Sequence, residues 1–182
     1  MGPSGVGKSV ILQALRKAHP EWHFPRSATT RPRRSGEGTL LYHFVTEKEF
    51  DALEKDGKLL EWARVHHGAR YGTLLEEILP FIEAGKIVVR EVDVQGFESI
   101  RHHTLFSGEH PRYTLESIFI APENKEQLIT RIKHRAPISE EELARRFGSM
   151  ERELSYAALC TKQIVNHEGN LQAVITEVEK AL

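Results

Sequence analysis

Apolar positions recur along this chain with two different periods, and the alternation between them outlines the fold. In "GKSVILQALRKAHP" the residues Ile11, Leu12 and Leu15, with Ala14 and Ala18, form a helical stripe that Pro20 stops. "LYHFV" and "KLLEWARV" predict strands, and between them "TEKEFDALEKDG" predicts a helix. Thr46 and Glu49 have capping-box spacing there, and Gly57 marks the stop. "LLEEILPFIEAG" predicts a helix despite Pro80. "KIVVREVDV" and "LESIFIA" are rich in β-branched residues and predict buried parallel strands. "PENKEQLITRIKHR" and "SEEELARRFGSMERELSYAALC" predict helices, the second N-capped by Ser139. "KQIVN" and "NLQAVITEVEKAL" close the chain as strand and helix. Strands alternating with helices predict an α/β fold with a mostly parallel sheet and helices on both faces.

Composition narrows this outline. At 182 residues the chain suits one α/β domain with inserted subdomains, large enough to bury a core without disulfides or a structural metal. A formal charge of −1 gives no global electrostatic case for nucleic acid or membrane binding. The single cysteine, Cys160, excludes an intrachain disulfide. With no secretory pattern and no apolar run approaching the ~20 residues of a membrane span, a soluble, cytoplasmic protein is expected.

The candidate chemistry begins at residue 2. "GPSGVGKS" satisfies G-x-x-x-x-G-K-[ST] at Gly2, Gly7, Lys8 and Ser9, with Pro3, Ser4, Gly5 and Val6 between. Glycines let backbone N–H groups turn toward phosphate oxygens, and the helix that follows points its positive end at the anion. Lys8 can reach the β- and γ-phosphates of a nucleoside triphosphate, and the Ser9 hydroxyl can ligate Mg²⁺. A chance glycine-rich turn fits less well, because a helical pattern follows at once.

"SATTRPRRSGEG" is a proline-stiffened loop carrying Arg31 and Arg34, with hydroxyls at Ser27, Thr29 and Thr30. Guanidinium forks suit bidentate phosphate recognition. Standing alone, the loop reads as a solvated basic turn; beside a phosphate loop it reads as a substrate clamp. Glu61 and Asp93 are carboxylates that could accept from guanine N1–H and N2–H₂. Asp93, at the end of an expected strand, could instead hold Mg²⁺ through water. Arg131, Arg135, Arg145 and Arg146 could form an arginine-bearing lid or plain helix-surface charge. The pairs His66/His67 and His102/His103 lack metal-ligand spacing.

Taken in order, "GPSGVGKS", "SATTRPRRSGE", "YHFV…EF", "LLEWARV", "YGT", "VDVQG", "IFIAP", "RIKHR", "ARRF" and "IVN" resemble the guanylate kinase family from Gly2 to Asn166. The resemblance implies a P-loop nucleoside-monophosphate-kinase fold. Its core would be 1–26, 81–134 and 148–182, with a GMP-binding subdomain at 27–80 and a lid at 135–147. It implies Mg²⁺-dependent phosphoryl transfer from ATP to GMP, by a monomer or homodimer. Lys8 and the loop would hold ATP, with Ser9 on Mg²⁺ and Asn166 near the adenine. Arg31, Arg34, Tyr42 and Tyr71 would grip the GMP phosphate. Ser27, Glu61, Thr73 and Asp93 would surround the guanine, and Arg135 and Arg146 would enter from the lid.

The chain departs from that pattern in "LLYHF", where the family usually has Asp before the tyrosine, and in "RAPIS", where a lid glycine is replaced. "CTKQIVN" lacks the aromatic–acidic pair that often precedes the asparagine, and "TTRPRR" shifts the proline by one place. Two other readings remain at this point: a catalytically weak protein-interaction relative, and a ribose 1,5-bisphosphate kinase-like enzyme. In the family an apolar strand leads into the phosphate loop, and Met1 stands where it would end. A natural start upstream of Met1 is therefore expected.

Overall fold

The structure, a computed structural model, describes residues 1–182 except 65–67, 125 and 131–139; the side chains of 140–147 also fall outside the description. Two compact units emerge, one of Met1–His19 with Glu116–Leu182, the other of Pro20–Leu115.

In the first unit, α1 (Lys8–Ala18) follows the glycine loop, and its stripe buries Ile11 and Leu15. β5 (Ile118–Pro122) and β6 (Lys162–Asn166) pair in parallel, Ile118 opposite Lys162 and Pro122 opposite Asn166. (β1–β4 lie in the other unit.) Met1 continues this ladder for one residue. Its ammonium donates to the Ile118 carbonyl at 2.6 Å, and its carbonyl accepts from the Ile120 N–H at 2.8 Å, the hydrogen-bond pattern of a parallel neighbour. α5 (Glu140–Ser155) runs into a 3₁₀ turn at Tyr156–Leu159, and α6 (Leu171–Ala181) ends the chain. Val6, Phe119, Ile120, Leu128, Met150, Ile164, Val174, Ile175 and Val178 supply the unit's other buried apolar side chains. The expected N-cap Ser139 lies outside the described residues.

The second unit is built on a four-stranded sheet of order β2-β1-β4-β3. β1 is Ser27–Thr29, β2 Tyr42–Phe44, β3 Leu59–Arg64 and β4 Arg70–Leu74. β1 runs parallel to β2, and β4 is antiparallel to both β1 and β3. α2 (Glu47–Lys55) starts on the anticipated capping box: Thr46 accepts from the Glu49 N–H, and Glu49 accepts in return from the Thr46 N–H. The helix drives Phe50, fully buried, against Ala28 and Leu74, with Val45, Leu53, Leu59 and Trp62 around it. A second core joins Leu60, Ile78 and Ile100 to Val88, Val92 and Leu115.

Two elements differ from expectation. "LLEEILPFIEAG" splits into a 3₁₀ turn, Leu75–Glu77, and a short α3, Leu79–Glu83, because Pro80 is accommodated only in a helix's first turn. "KIVVREVDV" forms no strand; a single parallel bridge joins Val88 to His23 before the chain reaches α4, Val94–Arg101. Its apolar residues suit a strand, yet among the described residues of this unit the ladder reaches no further than the bridge at His23.

Candidate active site

In the first unit the glycine loop leads directly into α1. Gly7 is the N-cap of α1 at φ 102°, a left-handed conformation that disfavours any side chain. A Cβ there would also lie 2.8 Å from the Asn166 amide nitrogen. No acidic side chain occupies the first turn of α1, so the loop's N–H groups and the helix end form a site suited to an anion. Lys8 folds back across the loop, its Nζ donating to the carbonyls of Gly2 at 2.6 Å and Pro3 at 2.9 Å. Ser9 is exposed in the first turn. Asn166, buried at the end of β6, donates through Nδ2 to the Val6 carbonyl at 2.6 Å. That contact ties the loop to the strand beneath it, a supporting job that the sequence reading did not anticipate for a residue placed near adenine. At the loop's other side the Ser4 N–H donates to Glu153 at 3.3 Å.

In the second unit the register gathers scattered residues into one row. Tyr42 pairs with Ser27, Ser27 with Thr73, and Thr73 with Glu61. Directly paired residues point to the same side, so these four share one face of the sheet. Two residues along, Phe44, Thr29 and Tyr71 form a second row on that face. The intervening row, with Ala28, Gly72 and Trp62, takes the opposite face, where Ala28 and Trp62 meet Phe50. A register shift between Leu59 and Glu61 is what lets Leu60 enter one core while Glu61 stays in the row.

Glu61 is only 8 % exposed. Thr73 Oγ1 donates to its Oε1, and Arg90 Nη2 stands 3.8 Å from the same atom. Burial pushes the Glu61 carboxyl above the usual carboxylate range; Thr73 and Arg90 pull it back, and Asp93 adds to the rise. Its other oxygen faces Gly96, where a Cβ would sit 3.0 Å away, so glycine admits the first turn of α4 beside the carboxylate. Asp93 is exposed and caps α4, accepting from the Gly96 N–H at 2.8 Å.

Arg31, Tyr42 and Tyr71 also come together. Arg31 Nε donates to the Tyr71 hydroxyl at 3.0 Å, its guanidinium lies 5.2 Å from the Tyr42 ring centre, and the two tyrosine rings are 6.0 Å apart. Glu37 takes the fork of Arg31 in bidentate fashion, at 2.7 and 3.0 Å. Arg31's hydrogen bonds hold the Glu37 carboxyl down at about 2, helped by the Arg34 N–H at 3.1 Å. The Arg34 side chain is exposed. Of the expected lid groups, Arg135 and Arg131 lie outside the described residues; Arg146 and Arg145 lie on α5 with their side chains outside them.

Comparison with known proteins settles the family. The guanylate kinase family model matches residues 1–182. The chain belongs to the guanylate kinase family. A guanylate kinase of Thermosynechococcus vestitus is 38% identical over 182 residues, all of this chain and 90% of the relative. One of a Nostoc species is 39% identical over the same span, 86% of its length. One of Tropheryma whipplei is 34% identical over 173 residues, covering 94% of this chain and 86% of that one. The crystal structure of guanylate kinase from Anaplasma phagocytophilum superposes with a TM-score of 0.68 at 23% identity, over 98% of this chain and 79% of that one. The α/β P-loop kinase fold expected from the sequence is therefore the fold of this guanylate kinase family member.

Three residues that matter to these sites were missed as site residues: Glu37, Glu77 and Arg90. Glu37 sits in the quoted arginine loop, and its spacing from Arg31 was a usable signal. Glu77 gathers Arg26 at 2.8 Å, His43 at 2.8 Å and His23 at 3.5 Å from separate segments, which no local pattern reveals.

Proposed function

We propose that this protein phosphorylates GMP with ATP, releasing ADP and GDP, with the first unit supplying the ATP site and residues 27–80 the larger part of the GMP site. The observation that carries this reading is the row Tyr42–Ser27–Thr73–Glu61. It places a carboxylate acceptor and hydroxyls on one sheet face, with Arg31 and Tyr71 on the same side for a phosphate.

The GMP phosphate oxygen is already anionic, so the reaction needs alignment and charge neutralisation rather than a strong base. Lys8 and the N–H groups of residues 4–9 neutralise the ATP phosphates. Arg31 and Tyr71, joined by Tyr42 and Arg34, orient the acceptor phosphate. Glu61 accepts from the guanine N–H groups, with Ser27 and Thr73 beside it. The segment 135–147, with Arg135 and Arg146, is assigned as the lid. The exposed Ser9 hydroxyl is a hard oxygen donor suited to Mg²⁺. Among the described residues no cluster of three or more His, Cys, Asp or Glu could hold a metal, which fits an ion that arrives with the nucleotide and keeps phosphate and water ligands. Bound there, Mg²⁺ would draw charge from the phosphate oxygens.

An ADP-release assay with GMP, AMP and ribose 1,5-bisphosphate as alternative acceptors tests the reading. Turnover with GMP well above the other two is expected. Turnover with the sugar phosphate alone would identify the rival kinase. Absence of both GMP binding and ADP release would leave a protein-interaction domain.

A further inference from the structure

Arg90 sits inside an apolar run, yet its guanidinium ends between two residues of the base-reading row. Nη1 donates to Ser27 Oγ at 2.8 Å, and Nη2 lies 3.8 Å from Glu61 Oε1. The side chain is 19% exposed, and Nε is buried with no hydrogen-bond partner among the described residues. Burial weighs against a charge here, and Glu61 leads the groups that oppose that effect. An arginine kept under those conditions imposes a constraint on its neighbours.

A serine hydroxyl carries one hydrogen and two lone pairs. With Arg90 donating to Ser27 Oγ, the serine's own hydrogen must turn away from the cation, leaving Ser27 an outward donor. Thr73 has spent its hydrogen on Glu61 Oε1, so it cannot take over that part. Glu61, ionised beside the guanidinium, stays an acceptor. The row thus presents a donor next to an acceptor in fixed order. Guanine presents the complement, a carbonyl acceptor at position 6 beside the N1–H donor; adenine presents an amine at position 6 and a bare nitrogen at N1, the reverse.

We propose that Arg90 is a specificity-determining positioning residue, fixing Ser27 as a donor and Glu61 as an ionised acceptor so that the site selects 6-oxopurine over 6-aminopurine nucleotides. This rests on the GMP reading above. It assigns Arg90 no contact with the base; the effect passes through Ser27 and Glu61.

The test is steady-state kinetics of the full chain with GMP, IMP and AMP, for wild type, R90M, R90K, S27A and the S27A/R90M double variant. R90M is expected to raise KM for GMP and IMP together by about tenfold or more and to lower the GMP-over-AMP ratio by a similar factor, with kcat for GMP much less affected. R90K, which keeps one donor and the charge, should restore most of that ratio. In the double variant R90M should add less than it does to wild type, since its part through Ser27 is already gone and only its part through Glu61 remains. An unchanged GMP-over-AMP ratio in folded R90M, or multiplicative effects of R90M and S27A, would overturn the proposal while leaving GMP phosphorylation standing. A wild type that does not accept GMP would overturn both. Should R90M not fold, R90L, which also lacks a donor, is read in its place with the same outcomes.

Discussion

At the scale of single residues, Glu61 joins geometry to pH. In the proposed site its carboxyl must be ionised to accept from guanine, yet burial raises its pKa, only partly offset by Thr73 and Arg90 and reinforced by Asp93. The acid limb of kcat/KM for GMP should therefore lie above the ~4.3 of an ordinary glutamate. In E61Q the Glu61 part of that limb should disappear, leaving the second ionisation of the GMP phosphate. The GMP preference should fall by about 10- to 100-fold, because an amide can offer a donor where guanine already donates. A pH–rate profile of both proteins checks this, and an unchanged GMP preference in E61Q would remove Glu61 from its assigned role. Ser27, Arg31, Glu61, Tyr71 and Thr73 were legible in the sequence because each falls in a short recognisable string. Arg90 was hidden by its setting: five neighbours in "KIVVREVDV" are apolar, and periodicity weighs what is buried rather than what is buried with a charge.

Among the elements, helix α2 formed as read because its information is local, a capping box at one end and a glycine stop at the other. The anticipated strand at 86–94 failed because a strand needs a partner that local sequence does not name. That segment instead delivers Arg90 to β1 and Asp93 to the cap of α4. Glu77 likewise binds elements that are distant in sequence: the Arg26 N–H and guanidinium, and His43 of β2. Burial alone would raise its pKa, but these hydrogen bonds together outweigh burial and bring it to about 2. A folded-state value below the unfolded one stabilises the fold above the ordinary carboxylate pKa, and the benefit fades as pH falls from about 4.5 toward 2. Denaturant unfolding should show E77Q less stable than wild type at pH 7, by on the order of 2 kcal/mol. The difference should narrow through that acid window; equal stability at pH 7 would show that the cluster does not hold the elements together.

For the molecule as a whole, the fold class was legible because α/β alternation spans the entire chain. Residues 20–26 and 81–115 join the second unit through bonds such as Arg26 to Glu77 and Arg90 to Ser27, which link segments too far apart in sequence for a local pattern to name. No helix among the described residues is long and apolar enough to cross a membrane. A ligand that binds only the folded state stabilises it by about 2.7 kcal/mol at a hundredfold excess over its Kd. ADP with Mg²⁺ should therefore raise the thermal midpoint by several degrees in wild type and much less in K8M. Amide exchange should slow at residues 4–9 with ADP and along β1, β3 and β4 with GMP. Absence of protection at residues 4–9 would take the nucleotide away from that loop.

In the proposed GMP site, the bidentate hold of Glu37 gives Arg31 a built-in counterion. That carboxylate already neutralises the arginine before association, so an arriving phosphate displaces a tethered group rather than mobile ions drawn from the buffer. Affinity for GMP should fall only gently as potassium chloride rises. In E37Q, where solution anions take over as the arginine's counterions, the same titration should be steeper.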